Sequence, residues 1–86
     1  MYGVPTPAEQ AAAIALHLRA RGATAVCTVG DGVKIVGRAP SGALIELYER
    51  PGHGYHIRRR GTPTGVTEYL GPFVSWKEAA ASALRA

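Results

Sequence analysis

The residues best equipped for chemistry in this 86-residue chain are Arg58-Arg59-Arg60, with Arg50 earlier in the same stretch. A guanidinium is planar and always charged, and it grips phosphate oxygens or a guanine edge through paired hydrogen bonds. Other candidates fare worse. His53 and His56, with His17 and Cys27, invite a metal, but zinc needs about four converging ligands, usually in close pairs. Here there is one weak pair, with His53 in a turn and His56 in a strand. Cys27 lies between Val26 and Thr28, where a small thiol is ordinary core packing. No acid that would orient a nucleophile is evident. Asp31 belongs to the turn Gly30-Asp31-Gly32, and Glu9 and Glu78 belong to helix caps. Pro51-Gly52-His53-Gly54 has the glycines of an anion loop but opens no helix, so it reads as a hairpin turn. The sequence therefore predicts a binding protein: no enzyme, no catalytic residue, no metal and no cofactor.

Two helices and a run of strands must position those arginines. Thr6-Pro7-Ala8-Glu9 is a capping box with proline at the first helical position. Ala11, Ile14, Ala15 and Leu18 follow at the spacing of one buried stripe, which predicts a helix over Pro7–Arg21 ended by Gly22. Thr24–Val29, Val33–Arg38, Ala43–Arg50, Tyr55–Arg60 and a short Val66–Leu70 read as strands separated by turn residues. Ser75-Trp76-Lys77-Glu78 starts a second helix, with Phe73 and Val74 expected to pack on its first turn. Trp76, Ala79, Ala80, Ala83 and Leu84 form its buried stripe. Neither helix is long enough to stand alone in water, so both must dock on the sheet. The expected fold is a single α+β domain over residues 1–86, an antiparallel meander with both helices on one face.

The chain is 47% hydrophobic and 19% charged, with a mean hydropathy near zero, which excludes low-complexity disorder. Its longest apolar run, Ala11–Leu18, is interrupted by His17 and is too short to span a membrane. The N-terminus shows no signal-peptide pattern and the one cysteine allows no internal disulfide, so a cytoplasmic protein is expected. Ten Lys/Arg against six Asp/Glu leave a net charge of +4, a balance that permits partners of nucleic acid or acidic protein.

Period-2 alternation sharpens that expectation. If Ile35, Ile45, Leu47 and Ile57 face the helices, then Lys34, Arg38, Tyr48, Arg50, His56, Arg58 and Arg60 face away, joined by Tyr69. Cations along neighbouring strands with aromatics between them can meet phosphates and stack on bases. Arg58-Arg59-Arg60 with Arg50 reads as an acid-free cluster across one hairpin, diluted by Glu46 and Glu49.

Tyr69-Leu70-Gly71-Pro72-Phe73, then Ser75 and Glu78-Ala79-Ala80, resembles the end of AP2-type and integrase arm-type DNA-binding domains. The resemblance covers roughly the C-terminal half. It implies that Ala43–Arg50, Tyr55–Arg60 and Val66–Leu70 form a three-stranded sheet lying in the DNA major groove. Arg50, Arg58 and Arg60 would then be on the DNA-facing side, with the C-terminal helix behind. The same Gly-Pro-Phe segment is also similar to the tail of SPOR-type peptidoglycan-binding repeats. The helix–sheet–helix order is similar to that of double-stranded-RNA-binding domains. The expectation carried forward is nucleic-acid binding, duplex DNA first, through Lys34, Arg38, Tyr48, Arg50, His56, Arg58, Arg60 and Tyr69. The alternative is a small accessory or inhibitor protein, of the kind mobile elements encode, that docks on a larger partner by its sheet edge or basic face. A homodimer joined through the sheet is a third arrangement.

Overall fold

The computed structural model describes residues 6–27, 32–61 and 65–85. Helix α1 spans Pro7–Arg19. Its capping box is complete: Thr6 Oγ1 accepts from the Glu9 amide at 3.1 Å, and Glu9 Oε1 accepts from the Thr6 amide at 3.1 Å. The helix ends two residues before the expected Arg21, with Ala20 as its cap and Gly22 in the left-handed region just beyond. Five strands follow: β1 Thr24–Cys27, β2 Lys34–Arg38, β3 Leu44–Arg50, β4 Gly54–Arg60 and β5 Thr67–Phe73. They form one antiparallel sheet in chain order, with β1 and β5 at its edges. Helix α2, Trp76–Leu84, begins at Ser75, whose hydroxyl accepts from the Glu78 amide. This is the expected α+β meander. Thr28 and Val29 at the end of the first expected strand, and Gly30 and Asp31 of the expected turn, lie outside the described residues.

Both helices cover the same side of the sheet, α1 over β1 and β2 and α2 over β3, β4 and β5. Between them lie Ile14, Leu18, Val33, Ile35, Leu47 and Ile57, the largest fully buried side chains. Each stabilises the fold by about 1.5–3 kcal/mol through burial. Ala11 and Ala15 of α1 and Ala79, Ala80 and Ala83 of α2 complete the core, and such small side chains let the helices lie close to the strands. Cys27 is half-buried beside this core, as are Trp76 and Phe73. Val74, expected to pack on the first turn of α2, is instead 91% exposed, because β5 runs on to Phe73 and Phe73 alone turns inward.

That inward turn depends on an irregularity in β5. Ile57 lies opposite Leu70 but Tyr55 lies opposite Phe73, so two steps along β4 match three along β5. Gly71 and Pro72 take up the extra residue. Glycine is required at position 71: its φ is +123°, and a Cβ there would sit 2.8 Å from the Tyr55 carbonyl oxygen.

Arg59 shows what lies behind the sheet. Its side chain, 14% exposed, points to the helix side of β4. There it donates to the Ser82 and Arg85 carbonyls at 3.0 and 2.9 Å and to Glu68 Oε1 at 3.1 Å. Helix α2 has no basic residue in its own last turn, and Arg59 supplies the cation that its C-terminal carbonyls favour. Replacing Arg59 with Leu is expected to cost about 2–3 kcal/mol in urea melts, with Lys recovering part of the loss.

His17 on α1 meets the Trp76 ring edge-on, with centroids 5.2 Å apart. Burial, then the neighbouring Arg21 and Lys77, hold its pKa below the ordinary 6.5. The unfolded chain therefore takes up this proton first as pH falls below that value, and stability present at neutral pH is lost. The Tm is expected to drop between pH 7 and pH 5, with a shallower fall in a His17→Gln variant. No helix among the described residues is long and apolar enough to cross a membrane.

Candidate nucleic-acid interface

Strand pairing arranges the uncovered side of the sheet in rows that cross the strands. One row reads Thr24, Arg38, Leu44, Arg60, Thr67 from β1 to β5. The next reads Val26, Val36, Glu46, Arg58, Tyr69. A third holds Lys34, Tyr48 and His56, and Arg50 lies beyond it at the end of β3. All eight side chains expected on this face are therefore on it, because the strands keep their alternation at these positions and the irregularity of β5 falls beyond Tyr69.

They do not form one cluster. The first two rows line a groove of about 580 Å³ that takes in Arg38, Arg58, Arg60 and Tyr69. Lys34, Tyr48 and His56 stand beside it. The Tyr48 and His56 rings stack with centroids 5.5 Å apart, and the buried His56 Nε2 has no hydrogen-bond partner among the described residues. Arg50 is exposed and apart. Tyr69 is 70% exposed, which leaves its ring accessible for stacking.

Two features correct the simple picture of an arginine cluster. Arg59 is not part of this face, since it is spent on the end of α2. The cluster is also not free of acid: Glu46 sits directly opposite Arg58, with Oε2 at 3.5 Å from Arg58 Nη2 and 3.4 Å from Lys34 Nζ. Arg38 donates to the Gly42 carbonyl, which holds it toward the turn after β2. The guanidinium groups of Arg50 and Arg60 have no partner among the described residues. The groove floor was not anticipated. Val26, Val36 and Leu44 make it apolar; the alternation that sent Ile35 and Ile45 inward already assigned Val36 and Leu44 outward, and pairing with Val36 sets Val26 beside them.

Charge is distributed unevenly over the molecule. Among the described residues the open face carries Lys34, Arg38, Arg50, Arg58 and Arg60 against Glu46 alone, while the other five cations stand against the four other described acids, Glu9, Glu49, Glu68 and Glu78. Among the described residues a formal charge of +4 thus gathers on one side of the sheet. Among the described residues no group of three or more His, Cys, Asp or Glu is placed to hold a metal ion.

The sheet edges are occupied in their own ways. Arg19 donates twice to the Ala25 carbonyl of β1, at 2.8 and 2.6 Å, and β5 carries Pro72, which has no amide hydrogen to offer an added strand. No protein-family model, curated protein or solved structure matches this chain.

Proposed function

We propose that the protein binds nucleic acid on the open face of its sheet, and that the form it takes best is single-stranded. The observation that carries this reading is the gathering, among the described residues, of five cations against one acid on one uncovered face that also exposes Tyr69. Phosphates would meet Arg38, Arg58 and Arg60, with Lys34 and Arg50 extending the path, while bases lie on Tyr69 and the apolar floor. The resemblance points to duplex DNA through three strands, but here those strands continue into two more. Five strands at about 4.8 Å spacing make a platform roughly 19 Å across, wider than the major groove at about 12 Å. A flexible strand can follow such a surface where a groove cannot admit it.

Fluorescence anisotropy with labelled single-stranded DNA, single-stranded RNA and duplex DNA tests the reading at low and moderate salt. Micromolar binding of single strands that weakens steeply with salt is the expected result. Absence of binding to all three at low salt overturns it and leaves an acidic protein partner as the remaining candidate for the same face. The sheet edges suit such a partner less, given Arg19 on β1 and Pro72 in β5.

A further inference from the structure

We infer that Glu46 makes this face selective for guanine, an inference that rests on the nucleic-acid reading above. Glu46 is the one acid among the described residues of the open face, on the central strand of five, and it lines the groove. Its side chain is 17% exposed. Lys34 and Arg58 both approach Oε2, and Oε1 has no partner among the described residues. In a groove whose arginines attract phosphate, a carboxylate opposes the attraction. What it adds is a strong hydrogen-bond acceptor facing the space a base would occupy.

Base edges differ in what they offer such an acceptor. Guanine presents two adjacent donors, its ring N1–H and its 2-amino group. Adenine and cytosine each set a ring acceptor beside their amino group, which a carboxylate repels. Thymine and uracil hold a single N–H between two carbonyls. A splayed base resting on Val36 and Leu44 would bring its Watson–Crick edge toward Glu46, as single-stranded readers do. Arg38 and Arg60, in the adjoining row, would take its phosphate, and Tyr69 would stack the next base.

The test uses the full chain and four thymidine decamers carrying two central guanines, adenines, cytosines or inosines, titrated by anisotropy at one salt concentration. The guanine strand is expected to bind about tenfold more tightly than the adenine strand, with inosine, which lacks the 2-amino group, between them. In a Glu46→Gln variant the guanine strand should lose about tenfold in affinity, and the four strands should then bind within about twofold of one another. Equal binding of all four by the unaltered protein overturns the inference and leaves phosphate binding standing. Uniform weakening in the variant with the guanine preference kept also overturns it, since Glu46 would then only hold Lys34 and Arg58 in place. Failure of every strand to bind removes the nucleic-acid reading and this inference with it. The series on the unaltered protein decides the matter even if the variant folds poorly.

Discussion

A chain carrying Arg58→Glu and Arg60→Glu together is expected to bind single strands at least a hundredfold more weakly at low salt, with a flattened salt dependence. The two residues lie in adjacent rows of β4, and both are exposed. Reversing them leaves three cations facing three acids, which brings the formal charge of the face, and of the chain, from +4 to zero. Each phosphate contact on a single strand contributes about 0.7 to the slope of log affinity against log salt, so two lost contacts should flatten it by about 1.4. The double change also sets an acid opposite Glu46, at a cost to stability of up to about 1 kcal/mol. A thermal melt separates that cost from the binding loss. Arg58→Gln with Arg60→Gln should fall between the two extremes. Unchanged affinity in the reversed variant would mean that the ligand does not meet this face.

Gly37→Ala should do more harm than any substitution on the surface. A Cβ at Gly37 would stand 1.9 Å from the Thr24 carbonyl oxygen, 2.7 Å from its carbon and 3.0 Å from the Ala25 Cα. All three are backbone atoms of β1, so no side chain can swing away to make room. The methyl group and the β1–β2 pairing cannot coexist, and β1 carries α1 packed against it. Releasing that unit exposes Ile14 and Leu18 together, and the expected cost exceeds about 4 kcal/mol, within reach of the whole stability of so small a domain. Circular dichroism should show no cooperative melt above 25 °C. Gly32→Ala, where nothing lies within 4 Å of the added atom, is the matched control, and its melt should shift by no more than about 0.5 kcal/mol. A Gly37 variant that melts like the parent would mean that β1 sits farther from β2 than described.

The sequence foretold those parts of the molecule that obey local rules. Thr6 with Glu9 and Ser75 with Glu78 marked both helix starts, because a cap is made within four residues of chain. Alternation assigned Ile35, Ile45, Leu47 and Ile57 inward, and with them every residue of the candidate face. What stayed illegible needed partners distant in sequence. Arg59 was on the helix side by alternation, yet its role is set by Ser82 and Arg85, more than twenty residues on. Glu46 looked like dilution until pairing set it against Arg58 and Lys34. Strand β5 runs three residues past its expected end at Leu70, because Gly71-Pro72 reads locally as a stop and only pairing with β4 shows otherwise.

That passage through Gly71 and Pro72 bears on which length changes the chain can accept. Leu70 and Phe73 stand three apart, an odd interval that would place them on opposite sides of a regular strand, yet Leu70 and Phe73 both pack against the core. The additional residue acts as a phase corrector between the outward Tyr69 and the inward end of the strand. Removing one residue there would turn Phe73 out to solvent and carry the start of α2 round with it. The exposed hairpin tip at Gly52 and His53 has no such duty, and natural or engineered insertions should accumulate there and avoid β5.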